Sequence, residues 1–346
     1  MASTESYAIR VGERILVTGA NGFIGSNIVD FLLSLGYIVR GTVRSEKSWL
    51  TEMFELKYGA GRFESRVVPA LDDKEALTTA LDSISGVVHV ASDVRFSADP
   101  NKVIPYVVAA TEAVLEAASS VTSVKRVVLT SSSAAAVIPQ PGKGKLVLKQ
   151  DTWKDASVQA AWDESTSAEI RGFMVYAASK TEGERAAFNW VKKNNPGFIL
   201  NSVLPDYTIG EVLHPSIGSI GYLTTQFLEG NETVINRYLP VLLLLCNCPN
   251  LTFRPLLTIL SEYFVDARDL ARLHAITLFD PSVQSERLFG LAAPCTWKDV
   301  IGALHELRPS SEKLARNVPP AREGFVQIVP PNRSKELLSS FFRQSD

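Results

Sequence analysis

Tyr176 and Lys180, in the stretch Tyr-Ala-Ala-Ser-Lys, are the pair of residues best suited to do chemistry in this chain. Four apart on a helix, they share one face, one turn apart. A phenol titrates at roughly 10 in water. A neighbouring ammonium favours the phenolate and is expected to lower that value. Such a tyrosine can hand a proton to a carbonyl oxygen as hydride reaches the carbon, or remove it in reverse. A Tyr-x-x-x-Lys spacing is common by chance, so its meaning rests on company. A serine run, Ser131-Ser132-Ser133, follows the apolar segment Arg126–Thr130 and offers hydroxyls for the same oxygen. Far upstream, Gly19, Gly22 and Gly25 punctuate Thr18-Gly19-Ala20-Asn21-Gly22-Phe23-Ile24-Gly25.

The elements that must hold these groups follow from periodicity. Arg14 to Thr18 is an apolar, β-branched run and reads as a buried strand. Ile24, Ile28, Phe31, Leu32 and Leu35 recur at helical spacing, and Gly36 ends the helix. Three glycines therefore sit where a strand turns into a helix. There a bare backbone can approach a pyrophosphate, and the helix start offers N–H groups and a positive dipole end. The spacing is G-x-x-G-x-x-G, not the G-x-G-x-x-G of the general dinucleotide fingerprint; the plain alternative is a tight turn without a ligand. The second strand, Tyr37 to Val43, ends in Arg44. An NAD-preferring site places a carboxylate there for the ribose hydroxyls. A guanidinium instead pairs with a 2′-phosphate, so Arg44, helped by Lys47, points to NADP(H).

Further strands at Phe63–Val68, Val87–Ser92, Arg126–Thr130 and Phe198–Leu204 alternate with helices at Trp49–Tyr58, Lys74–Leu81 and Lys102–Ala118. That rhythm predicts an α/β fold, a Rossmann-type doubly wound parallel sheet, with a smaller C-terminal substrate-side lobe. The expected division is 1–210 for the NADP(H)-binding part, which also receives about 263–292, and 211–262 with 293–346 for the lobe. The alternation breaks from Ala134 to Gly172, read as a long loop, and the helix of Tyr176 is expected to open there and run to about Asn194.

Composition narrows the setting. The 346 residues are 46% hydrophobic, and Lys+Arg 35 against Asp+Glu 37 gives a net charge of -2. This balance makes no electrostatic case for nucleic acid or an anionic membrane. Cys246, Cys248 and Cys295 form neither a disulfide framework nor a zinc spacing, and His89, His214, His274 and His305 are scattered, so no metal is expected. The polar N-terminus and the absence of a long apolar run lead to a cytoplasmic expectation. Monomer and homodimer are both compatible with the sequence.

Taken together, these motifs resemble the extended short-chain dehydrogenase/reductases, in particular the dihydroflavonol-reductase-like branch and its NADPH-dependent fungal aldehyde and ketone reductases. The matching stretches are Thr18 to Gly25, Val39 to Arg44, His89 to Ser92, Arg126 to Ser132, Tyr176 to Lys180 and Val203 to Gly210, with a return at Val265 to His274. The resemblance implies reduction of a small-molecule carbonyl compound with NADPH. It makes Tyr176 the acid/base, Lys180 its electrostatic partner and Ser132 the orienting hydroxyl, with Ser133 the alternative and Ser131 facing away. Cofactor contacts would come from Gly19, Asn21, Gly22, Phe23, Ile24, Gly25, Arg44, Lys47, Ala91, Thr130 and Pro205, besides Tyr176 and Lys180. Val94, Arg95 and Phe96 would contribute to the substrate pocket, with Ser133 and Asp206. Asp206 departs from the family, where a neutral residue is frequent; it could meet substrate, favour a cationic one, or cap a turn. The segment Asn236 to Pro255 aligns with nothing in the family. Two other functions fit the scaffold: a nucleotide-sugar epimerase or dehydratase retaining NAD, and an NADPH-sensing protein without turnover. Arg44 speaks against the first, the intact Tyr/Lys pair against the second.

Overall fold

Along β1 (Arg14–Thr18), Ile15 and Val17 enter one apolar cluster and Leu16 enters another, and all three are fully buried. A strand that buries both faces belongs in the middle of a sheet covered on both sides. Burying each such side chain contributes about 2 kcal/mol. The computed structural model describes residues 7–138, 145–217, 262–295, 297–312, 314, 327–329 and 333–341.

After β1 the chain alternates: α1 (Phe23–Ser34), β2 (Ile38–Val43), α2 (Ser48–Tyr58), β3 (Phe63–Val67), α3 (Lys74–Ala80), β4 (Gly86–His89), α4 (Pro100–Ser119) and β5 (Arg126–Thr130). A short 3₁₀ turn, Ser133–Ala135, precedes β6 (Lys145–Val147), α5 (Asp155–Trp162), α6 (Ala168–Asn194), β7 (Ile199–Pro205) and β8 (Tyr207–Ile209). Then come β9 (Glu262–Asp266), α7 (Ala267–Phe279), β10 (Arg287–Gly290), β11 (Ala293–Cys295), α8 (Trp297–Leu307), β12 (Gln327–Val329) and α9 (Arg333–Phe341).

Seven strands form one sheet in the order β10-β7-β5-β4-β1-β2-β3, and every pairing in it is parallel. This is the expected Rossmann-type fold. The order of connection reverses between β1 and β4, so a crevice opens at the carboxyl ends of those strands, where ligands of such sheets bind. One face is packed by Ile28 and Leu32 of α1 and Leu273 and Ile276 of α7. The other is packed by Leu77 of α3, Val114 and Leu115 of α4 and Ala187 of α6. Gly183 lets α4 and α6 approach: a Cβ there would lie 3.1 Å from Val107 Cγ1. At the C-terminal end, Leu337 of α9 joins the first cluster and Phe341 stacks on Tyr7 at 5.4 Å.

Three expectations are corrected. Residues 134–172 are not one loop, since α5 and the first turn of α6 lie within them. Tyr176 does not open its helix; α6 starts at Ala168, so Tyr176 sits more than two turns inside it. Ile170, Phe173, Met174 and Ala177 carry the helical spacing, and all pack into one cluster; Gly172 among them disguises the pattern. The fourth strand ends at His89, leaving Val90 to Ser92 outside the ladder. Phe227, Leu228, the segment Asn236–Pro255, Cys246, Cys248 and most of the 211–262 lobe lie outside the described residues.

Candidate active site

The glycine turn is shaped by what it omits. Gly19 has φ 68°, and a Cβ on it would come within 3.1 Å of Ala91 Cα. The Gly22 N–H donates to Gly19 O at 3.0 Å. A Cβ on Gly25 would lie 2.2 Å from that same carbonyl oxygen. Helix α1 begins at Phe23 with Gly22 as its cap, no side chain caps it, and no acidic residue stands in its first turn. Asn21, Phe23 and Ile24 thus lie where backbone, a helix start and its dipole converge, a ready anion site. Beneath it, Thr18 Oγ1 accepts the N–H groups of Val90 (3.0 Å) and Ala91 (3.1 Å). Its own proton is therefore directed to His89 Nδ1, 2.8 Å away. Burial, with Lys180 nearby, pushes the His89 imidazole down to about 3, so it is neutral.

Arg44 is exposed at the end of β2, and Lys47 stands at the start of α2. Across the crevice, Asp93 is clasped by Arg95, with Nη2 to Oδ2 at 2.6 Å. That hydrogen bonding, with a further contribution from Arg44, holds the Asp93 carboxyl below its usual range.

On α6, Tyr176 and Lys180 face the serine run. Lys180 is buried, and its Nζ donates to Thr130 O at 3.3 Å. Burial lowers its ammonium to about 8, against the opposing pull of Glu184. Ser131 and Ser132 are held by different partners. Ser131 Oγ donates to Glu184 Oε2 at 2.9 Å. Ser132 Oγ accepts the Ala134 N–H at 3.2 Å, and its hydroxyl acts to lower the Tyr176 phenol. The Ser133 hydroxyl acts to lower the Asp206 carboxyl. Thr130, at the end of β5, pairs Oγ1 with His274 Nε2 at 2.9 Å, while His274 Nδ1 is 2.8 Å from Leu270 O. The Nδ1–H therefore donates to the carbonyl and Nε2 accepts from the threonine. Burial lowers His274 to about 4.

The sequence-based expectation that Tyr176 titrates below an ordinary phenol is overturned. Burial raises it, Asp206 raises it further, and the lowering influence comes from the Ser132 hydroxyl. Asp206 accepts the N–H of Tyr207 at 3.0 Å and of Tyr263 at 3.3 Å. Burial pushes its carboxyl up to about 6 despite those bonds.

Phe96 adopts φ 54°, a left-handed conformation rare for a bulky side chain. Its ring lies 4.8 Å from that of Tyr176 at 44°. Gly172 permits this: a Cβ there would sit 2.4 Å from Phe96 O. Val94, two residues earlier, is exposed. Pro205 ends β7 with its Cα 3.2 Å from where a Cβ on Gly290 would stand. Among the described residues, no group of three potential metal ligands occurs and no helix is long and apolar enough to cross a membrane.

A glycine turn at the switch point and a Ser–Tyr–Lys constellation beside it agree with the similarities of the chain. A model of the NAD dependent epimerase/dehydratase family matches residues 15–205. The chain belongs to that family. It is 41% identical to the ketoreductase adrE of Penicillium roqueforti over 99% of this chain and 95% of the relative. It is 35% identical to aldehyde reductase 2 of Sporidiobolus salmonicolor over 90% of this chain and 85% of the relative. Among solved structures it is similar to the yeast methylglyoxal/isovaleraldehyde reductase Gre2 complexed with NADPH, with a TM-score of 0.73, 24% identity and coverage of 94% and 93%.

In this epimerase/dehydratase-family chain, a buried network behind the tyrosine escaped the sequence reading. Glu184, one turn beyond Lys180 and with a fully buried side chain, accepts from Ser131, from Ser202 Oγ at 2.5 Å, and from Arg287 Nε at 2.9 Å and Nη2 at 3.0 Å. Arg287 lies 3.8 Å from the Trp153 ring centroid and donates to the carbonyls of Gln150 (2.9 Å) and Thr152 (2.7 Å). The signal for Glu184 was available, since it continues the Tyr176–Lys180 face. Arg287 carried none, because its partners lie 103 residues or more away in sequence.

Proposed function

We propose that this chain is an NADPH-dependent reductase that turns an aldehyde or ketone into an alcohol. The observation that carries the reading is Tyr176 one helical turn from a buried Lys180 whose Nζ reaches Thr130 O beside the serine run, at the carboxyl ends of the parallel strands. The relatives named ketoreductase and aldehyde reductase support it. So does the NADPH bound in the structurally similar yeast reductase.

The residues present fit the cofactor. The close backbone packing that Gly19 and Gly25 allow, and the uncapped start of α1, suit a pyrophosphate held by the backbone from Gly19 through Asn21, Gly22, Phe23 and Ile24 to Gly25. Arg44 and Lys47 would take the 2′-phosphate, and Ala91, Thr130 and Pro205 would flank the nicotinamide half. NADPH supplies the hydride when bound. Tyr176, kept protonated by its burial, gives its proton to the carbonyl oxygen as the alkoxide develops. Ser132 holds that oxygen in line, and the Lys180 ammonium adds positive charge beside it. Val94, Phe96, Ser133 and Asp206 would border the substrate. In this reading 1–210 with about 263–292 serves the cofactor, and 211–262 with 293–346 the substrate.

The test is consumption of NADPH, with NADH in parallel, over aldehydes, β-keto esters, aryl ketones and flavanonols. Turnover that prefers NADPH, with the preference reversed or erased in Arg44→Asp, is the expected result. Stoichiometric NAD in the purified protein, or a silent panel, would overturn the reading.

A further inference from the structure

The serine run is anchored on both sides. Before it, Ser131 Oγ donates to Glu184 Oε2 at 2.9 Å. After it, the Ala135 carbonyl of the 3₁₀ turn accepts the Lys154 N–H at 2.9 Å. Both anchors lead back to one buried ion pair. Arg287 grips the Glu184 carboxylate, with Nε to Oε1 at 2.9 Å and Nη2 to Oε2 at 3.0 Å. Its Nη1 donates to the carbonyls of Gln150 (2.9 Å) and Thr152 (2.7 Å), and its backbone N–H donates to Gln150 Oε1 at 2.8 Å. Trp153, next to Lys154, lies against the same guanidinium at 3.8 Å. Ser132 stands between the two anchors. We propose that Glu184 and Arg287 are positioning residues for carbonyl reduction: by fixing the backbone on both sides of Ser132, they set where its hydroxyl meets the substrate oxygen. The inference rests on the reductase reading.

The chemistry of the pair favours that role over simple cohesion. The Arg287 and Glu184 side chains are 4% and 0% exposed, so both charges have lost their hydration. Apolar residues of similar volume commonly hold a core as well as such a pair does. What they lack is direction: a guanidinium fork fixes the plane of the carboxylate, and the remaining lone pairs fix the hydroxyls. Glu184 takes Ser131 from the end of β5 and Ser202 from β7 at 2.5 Å, while Arg287 stands on β10, the next strand of the sheet. One pair thus sets α6 against three adjacent strands and the segment before α5. Lys180, one turn earlier on α6, reaches Thr130 O at 3.3 Å, immediately before Ser131. A rotation or slide of α6 would carry Tyr176, Lys180 and Glu184 together past the serine run, and the ion pair opposes it. Misplacing a reacting group by about 1 Å can slow a reaction about 10²-fold, so a link that adds little stability can matter greatly to rate.

The experiment measures stability, NADPH affinity and kcat in three variants of the full chain: Arg287→Met, Arg287→Met with Glu184→Gln, and Ser131→Ala. The first leaves an uncompensated charge, and the paired variant removes it and regains much of the stability. In that paired variant kcat for a carbonyl compound is expected to stay about 10–10²-fold low, with NADPH affinity in a fluorescence titration unchanged. Ser131→Ala breaks one anchor and keeps the ion pair; it should show the same split with a smaller loss, and it decides the matter where the paired variant does not fold. The substitutions are then placed in Ser132→Ala. There they should lower kcat by only about twofold, because the hydroxyl they position is gone. Rates are counted per NADPH-binding site, so an unfolded fraction does not enter. Recovery of kcat together with stability, equal losses with and without Ser132, or a loss confined to NADPH affinity would overturn the proposal. The unsubstituted chain separates the two readings. If it reduces no carbonyl compound, the reductase reading falls and takes the proposal with it; if it does, any of those three outcomes removes the proposal alone.

Discussion

The glycine turn and the α6 face border the same crevice and are built on opposite principles. The turn is tight because it lacks side chains: Gly19 and Gly25 let backbone pack where a Cβ would collide, and α1 starts without a side-chain cap. The α6 face is crowded: Tyr176 packs on Phe96, Lys180 reaches Thr130, and Glu184 is held by Ser131, Ser202 and Arg287. A phosphate needs only backbone N–H groups and a dipole, so spacing suffices. Proton transfer needs side chains with displaced titration, and those require burial with every remaining valence satisfied. One feature is common to both. A threonine at the end of β1 and another at the end of β5 each engage a buried neutral histidine, His89 and His274.

Breaking the crowded side has the largest expected effect. Arg287→Met leaves the Glu184 carboxylate buried without its cation and is expected to cost about 3–5 kcal/mol of stability, read from the denaturant midpoint. Adding Glu184→Gln to that variant should recover much of the loss, because the uncompensated charge is gone. Acidification probes the feature the two regions share. Both histidines titrate lower in the folded chain than in the unfolded one, so as pH falls below about 6.5 the unfolded state takes up protons first and stability drops. Between pH 6.5 and 5 the two together lose about 3 kcal/mol. Asp206, raised to about 6, works in the opposite sense and returns about 1 kcal/mol. A net fall of roughly 2 kcal/mol should appear in urea unfolding at the two pH values. The smallest effect is expected at the turn. In Gly25→Ala the methyl meets the Gly19 carbonyl oxygen, and the displaced turn should weaken NADPH binding roughly tenfold, or about 1.4 kcal/mol, in a fluorescence titration.

The same contrast explains what the sequence made legible. The sheet, the helices that cover it and the glycine turn rest on local periodicity and spacing, and apart from the end of the fourth strand and the start of α6 their boundaries agree within a residue or two, as at Arg14–Thr18 and Arg126–Thr130. Tyr176 and Lys180 were visible because one helix carries both. The partner of Ser131 was not, because it is Glu184, 53 residues further along the chain. The rise in the Tyr176 titration was also hidden, since burial outweighs any local pairing that a spacing can suggest. Helix α6 was read too short because Gly172, needed to seat Phe96, interrupts an otherwise helical pattern.

Tyr176→Phe, compared with the unsubstituted chain in NADPH binding and in single-turnover reduction of a carbonyl compound, tests the assignment most directly. Phenylalanine keeps the ring against Phe96 and removes only the hydroxyl. The expected result is unchanged NADPH affinity with reduction slowed by about 10²–10⁴-fold. Reduction at the original rate would contradict Tyr176 as the proton donor and with it the reading of the α6 face.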